Sequence, residues 1–138
     1  MDQLFKNLSI NGEVLDILYT DGKIKKIGRF NGDTKIAAVD VCGKRAFAGL
    51  VDIHTHGMGG IDTMDADFSK LPKLYAAAGT TTVYPTTMTE PHEAIVKVLT
   101  ADIPENGAKI GGIHLEGPYI SEKRKGAQNA DFIRNPDI

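Results

Sequence analysis

Two histidines spaced i, i+2 at the end of an apolar run are the first residues here whose arrangement supports chemistry. The run is Leu50-Val51-Asp52-Ile53-His54-Thr55-His56-Gly57. Successive side chains of a β-strand point to opposite faces, so His54 and His56 share one face with Asp52. At a rise of ~3.3 Å per residue their Cβ atoms lie roughly 6–7 Å apart, close enough for both imidazoles to reach one metal ion. Farther along, Lys109 to Leu115 reads as another strand, ending at Glu116-Gly117-Pro118. Glu116 then stands at a strand's C-terminal end, as His56 does. In parallel α/β architectures ligands bind at those ends. Two imidazoles and a carboxylate converging on one rim make a plausible site for Zn²⁺ or a similar ion. Taken alone, His-x-His fits equally well two polar residues closing a strand. His114, on the face of Glu116, reads as a hydrogen-bonded lining residue. His92 reads as solvated on a helix's first turn.

The elements that must position these residues change period near Ala48. Before it, Val14 to Tyr19 and Lys23 to Ile27 are two β-rich runs joined by Thr20-Asp21-Gly22, a strong two-residue hairpin signal. Leu15, Ile17 and Tyr19 share one face, and Ile24 and Ile27 belong to the partner strand. Asn31-Gly32-Asp33 looks like another turn, followed by short strands at Ala38 to Val41 and Arg45 to Phe47. This part reads as a small antiparallel scaffold without chemistry. After it, Leu50 to His56 lacks alternation, as expected of a strand buried on both faces of a parallel sheet. A glycine-rich loop, Gly57-Met58-Gly59-Gly60, follows. Ser69 is placed to cap a helix over Lys70 to Ala78, with Pro72 in its first turn and Gly79 stopping it. Thr80 to Thr87 is a β-branched strand. Thr89 is placed to cap a second helix, with an Ile95, Val98, Leu99 packing stripe. Strand–helix–strand–helix–strand implies right-handed βαβ units and a parallel sheet.

Composition narrows the class. The 138 residues carry 41% hydrophobic and 25% charged side chains, ordinary for a globular protein. A formal net charge of −2 argues against a general nucleic-acid binder. No apolar run reaches the ~18–20 residues that span a bilayer, and Met1-Asp2-Gln3-Leu4-Phe5-Lys6 lacks a signal-peptide layout. Cys42 is the only cysteine, compatible with a reducing cytoplasm, and reads as a small core residue.

The motifs together resemble a known family. His54-Thr55-His56 after an apolar strand is similar to the first metal motif of the amidohydrolase superfamily. His114-Leu115-Glu116-Gly117-Pro118 narrows the likeness to the N-acetylglucosamine-6-phosphate deacetylase family. Gly57 to Asp62 resembles the loop after that family's first barrel strand, and Gly79 to Thr86 its second strand. Lys125-Gly126-Ala127-Gln128-Asn129 resembles the segment that contacts the amino sugar.

The resemblance implies an α/β fold: residues 1–48 as the first part of a small β-sandwich domain, and residues 49–138 as the first three βα units of a TIM-like (β/α)8 barrel. It implies that Glu116 holds the principal catalytic metal and that His54 and His56 hold a second one. One or two divalent ions are expected, Zn first, with Fe, Mn or Co as alternatives. Ala127 and Gln128 would contact substrate, although some members carry histidine where this chain has Gln128. Lys123-Arg124-Lys125 reads as a solvated loop more readily than as a phosphate site.

The implied reaction is hydrolysis of N-acetylglucosamine 6-phosphate to glucosamine 6-phosphate and acetate, in a cytoplasmic homodimer with no nucleic-acid or membrane partner. The family's later histidines and its acid/base aspartate are expected beyond residue 138, so the segment is expected to be an N-terminal fragment that is inactive alone and binds metal weakly. Asp131 and Asp137 do not match that aspartate's motif. A cyclic-amide hydrolase is the alternative enzyme, disfavoured because many of those carry a carboxylated lysine where Glu116 stands. A non-catalytic truncated homologue is the alternative outside enzymes.

Overall fold

The computed structural model describes residues 2–31 and 35–137. The expected turn at Asn31-Gly32-Asp33 falls largely outside them. The chain divides into two compact units, Met1–Ala48 and Gly49–Ile138.

The first unit is a four-stranded sheet in the order β3-β2-β1-β4, formed by β1 (Gln3–Ile10), β2 (Glu13–Thr20), β3 (Lys23–Gly28) and β4 (Ala37–Asp40). The β2–β3 hairpin turns through Asp21 and Gly22, both at positive φ, as the Asp-Gly signal requires. Four readings of this part are corrected. Strand β1 is unannounced in the sequence because a bulge interrupts its alternation: Phe5 pairs with Ile17 and Leu8 with Leu15, so Lys6 and Asn7 together face Asp16. The sheet is not wholly antiparallel, since β4 runs parallel to β1. Arg45 to Phe47 forms no strand; it contributes one isolated bridge from Arg45 to Ser9. Cys42 is exposed rather than in the core, held at positive φ in a turn where Asp40 accepts from its backbone N–H at 2.8 Å.

The bulge depends on a buried charge. Asp16 is the deepest side chain of β2, and its carboxylate accepts from Asn7 N at 2.8 Å and Phe30 N at 3.1 Å. The hydrogen bond from Asn7 is the largest influence, lowering the Asp16 pKa below its ordinary 3.8; burial opposes the shift, and the Phe30 N–H and the charges of Lys6 and Arg29 reinforce it.

In the second unit, β5 (Leu50–Thr55), β8 (Thr80–Pro85) and β9 (Lys109–Ile110) form a parallel sheet in that order. The helices α1 (Leu71–Ala77) and α2 (His92–Leu99) provide the crossovers. The core joins Phe68, Leu71 and Tyr75 to Val83, Val98 and Ala108. The glycine-rich loop is a tight hairpin of β6 (Gly57–Met58) and β7 (Ile61–Asp62).

Several local expectations shift. β5 is not buried on both faces: Leu50, Val51 and Ile53 are more than half exposed. The third strand is two residues long, and the chain beyond it keeps a bond from Gly111 N to Val83 O and then bridges to the sheet at Thr86–His114. Of the α2 stripe, Ile95 and Val98 are buried but Leu99 is exposed. Neither expected cap forms: the N-cap of α1 is Lys70 and that of α2 is Pro91, each without a side-chain cap bond. The Ser69 backbone N–H instead bonds Asp67, and the Thr89 hydroxyl serves the site described below.

The Asp16 geometry gives a prediction with a sign. A depressed folded-state pKa means the carboxylate contributes stability that is complete above its unfolded pKa, about 4, and is lost as pH falls through the folded value. Asp16→Ala, which leaves two backbone donors without their acceptor, is expected to lower stability by about 1–3 kcal/mol at pH 7. Denaturant titration followed by circular dichroism at pH 7 and below pH 4 checks this: the gap between parent and variant should narrow in acid.

Candidate metal centre

The end of β8 builds the site. Thr86 N donates to Thr55 O at 2.7 Å, and Thr55 N donates to the Thr86 hydroxyl at 3.0 Å, tying the His54-Thr55-His56 segment to the end of β8. On the other side Thr87 N donates to His114 O and His114 N to Pro85 O, at 3.0 and 2.9 Å. Glu116 N donates to the Thr87 hydroxyl at 3.3 Å, and the Thr89 hydroxyl donates to Glu116 O at 3.2 Å. Thr86, Thr87 and Thr89 are all buried. Gly117 makes the last contact possible. It sits at φ +89°, and a Cβ there would lie 2.0 Å from the Thr89 hydroxyl oxygen.

Tyr75 of α1 fixes the histidine strand from its other face, with its hydroxyl 2.6 Å from that of Thr55. The Thr55 hydroxyl donates to Gly57 O at 3.2 Å, so the phenol donates to Thr55. Burial holds the Tyr75 pKa above its ordinary 10.0, with the Asp52 charge adding to the shift and the Thr55 bond opposing it. The phenol stays protonated.

These supports bring three of the expected residues together. His54 Nε2 and His56 Nε2 each lie 3.1 Å from the same atom, Glu116 Oε2. The ligand atoms of all three residues fall within 4.8 Å of one another. His56 Nδ1 is 3.1 Å from Thr86 O; a carbonyl only accepts, so Nδ1 carries a proton and Nε2 is the nitrogen that faces the carboxylate. A nitrogen this close to a carboxylate oxygen needs a positive centre between them, a proton or a metal ion. Two donors at 2.0–2.2 Å from a tetrahedral ion stand about 3.4 Å apart, close to the 3.1 Å from each histidine to Glu116. The donor set therefore fits a divalent metal, and the His56–Thr86 bond is the support that metal-binding imidazoles use to fix their tautomer.

The remaining candidates divide. His114 joins the cluster without pointing a ligand atom at Glu116: its ring packs edge-on against His54 at 4.8 Å, and Nδ1 donates to Ile53 O at 3.2 Å. His92 is exposed. Lys123 and Arg124 are exposed on a short 3-10 turn. Ala127 is exposed, whereas Gln128 is buried, its amide oxygen accepting from Thr89 N at 2.6 Å. The supporting threonines and Tyr75 escape a reading based on ligand chemistry. The run Thr86-Thr87-Met88-Thr89 was the available signal, and it reads equally well as strand end and helix cap.

No protein-family model matches the chain. Among curated proteins it is similar to N-acetylglucosamine-6-phosphate deacetylases, 43% identical over 101 residues in Bacillus subtilis and 31% over 140 residues in Lysinibacillus sphaericus. Those matches cover 65% and 96% of this chain, but only 26% and 36% of the relatives' length. A solved N-acetylglucosamine-6-phosphate deacetylase from Thermotoga maritima superposes with a TM-score of 0.78 at 32% identity, covering 97% of this chain and 37% of that one. The enzyme from Pasteurella multocida shares the fold, with a TM-score of 0.82 at 24% identity over 99% of this chain and 40% of that one. By sequence and by fold, the chain is a relative of the N-acetylglucosamine-6-phosphate deacetylases, matched along roughly a third of their length.

Proposed function

We propose that this chain supplies the first metal-binding strands of a deacetylase that hydrolyses N-acetylglucosamine 6-phosphate to glucosamine 6-phosphate and acetate. The observation that carries the proposal is the convergence of His54, His56 and Glu116 on one carboxylate oxygen, at the C-terminal ends of parallel strands. Relatives named for this activity align across that whole region. The sheet order β5-β8-β9 with helical crossovers supports its assignment as the first three βα units of a (β/α)8 barrel, and the exposed apolar residues of β5 are consistent with further covering structure. Residues 1–48 then correspond to the first part of the small β-domain. We assign the whole enzyme to the cytoplasm as a homodimer; no helix among the described residues is long and apolar enough to cross a membrane.

Within this reading the chain's residues bind and orient. His54, His56 and Glu116 would hold one or two divalent ions, Zn²⁺ foremost, since imidazoles and carboxylates are its common donors. When bound, the metal supplies Lewis-acid polarisation of the amide carbonyl and a lower pKa for the attacking water. The Thr86 carbonyl keeps His56 in the tautomer that presents Nε2. Thr87 and Thr89 hold the Glu116 peptide from both sides. Ala127, exposed after the 3-10 turn, is offered to the acetamido group.

Two measurements test this. Titration with Zn²⁺ or Co²⁺ should show binding that Glu116→Gln weakens by more than about 100-fold, beyond the effect expected for a mere supporting group. For the reaction, residues 2–137 are transplanted in place of the matching stretch of the L. sphaericus relative, and acetate release from N-acetylglucosamine 6-phosphate is followed. The chimera should turn over, and Glu116→Gln in it should abolish turnover. A folded, metal-loaded chimera without acetate release would overturn the assigned reaction.

A further inference from the structure

Gln128 invites a role of its own, because its side chain is spent inside the protein. Its amide oxygen accepts from Thr89 N at 2.6 Å, as short as the Tyr75–Thr55 bond. Its amide nitrogen faces Met88 Sδ at 3.7 Å, and the Lys125 ammonium binds its backbone carbonyl at 2.8 Å. The residue is 3% exposed. Thr89, which it grips, donates its hydroxyl to Glu116 O, while Thr87 accepts from Glu116 N. The path from Gln128 to the carboxylate therefore passes through one threonine and one peptide unit, all of it buried or half-buried.

We infer that Gln128 is a positioning residue for the metal centre, acting through Thr89 to fix the Glu116 peptide. The inference rests on the reading of Glu116 as a metal ligand. Three facts favour it over simple packing. The Glu116 peptide lies beyond the two-residue β9 and has no strand ladder of its own, so side-chain bonds must set its place. The Thr89 hydroxyl approaches so closely that position 117 admits only glycine. Neither Thr89 nor Gln128 is used elsewhere: the N-cap of α2 is Pro91, without a Thr89 cap. Supporting groups one step removed from a ligand commonly change metal affinity by about 10–100-fold when lost.

The test is Co²⁺ affinity, measured by calorimetric titration on the chain as it stands, with circular dichroism as the check on folding. Gln128→Met, which keeps the length but removes the acceptor, should weaken Co²⁺ binding about tenfold. Thr89→Val, which keeps the shape but removes the hydroxyl, should do the same, and Thr89→Ser should restore the parent affinity. The double variant Gln128→Met, Thr89→Val should lose no more than either single one, because both cut the same path. Should Gln128→Met not fold, the Val and Ser variants at position 89 decide the matter alone. Parent-like affinity in folded Gln128→Met and Thr89→Val, or losses that multiply in the double variant, would overturn the positioning role. A parent chain that binds no Co²⁺ would instead remove the metal reading itself.

Discussion

The site depends on one geometric constraint: its two halves come from strands that do not pair. β8 lies between β5, which carries the histidines, and β9, which leads to Glu116. A donor set assembled across a middle strand needs that strand to hold both neighbours in register where the ladders run out. The chain does this with hydroxyls. Thr86 binds the histidine segment through its backbone and side chain, and Thr87 and Thr89 bind the glutamate segment. Threonine suits the task because its branched Cβ favours extended backbone while its hydroxyl both donates and accepts. Burial then makes each of these bonds costly to leave unmade.

The same device appears in the first unit with a different group. There a bulge leaves the Asn7 N–H without a ladder partner, and the Asp16 carboxylate takes it together with Phe30 N. In both units the backbone departs from regular pairing where a buried polar side chain stands ready to receive it. The irregularities are thus specified by individual residues and not by slack in the chain.

How much of this was legible in the sequence follows from how each feature is encoded. The parallel βαβ order, the Asp-Gly hairpin and the meeting of His54, His56 and Glu116 were readable, because periodicity, turn chemistry and ligand type are local signals. β1 was not. Its bulge at Lys6 and Asn7 breaks the alternation by which strands are recognised, and the bond that permits the bulge comes from Asp16, on another strand. The capping roles given to Ser69 and Thr89 failed for a related reason: a hydroxyl before a helix satisfies the local rule, but tertiary partners outbid the helix for Thr89. The exposure of Leu50, Val51 and Ile53 was also out of reach, since an apolar run states what a strand would bury and not what lies against it. Gln128 shows the converse, for a motif places the residue near the site without saying which way it faces.

The shortness of β9 carries a consequence for thermodynamics. The histidines ride on a six-residue strand, while Glu116 follows a two-residue one and relies on side-chain bonds. Segments with few ladder bonds open more easily than the body of the domain. An opening confined to that segment would move the carboxylate and leave the core of Phe68, Leu71 and Val83 intact. The apparent metal affinity is the intrinsic affinity scaled by the closed fraction. A bound metal, by joining residues 62 positions apart, would draw the equilibrium toward the closed form and act as a clasp for the sheet.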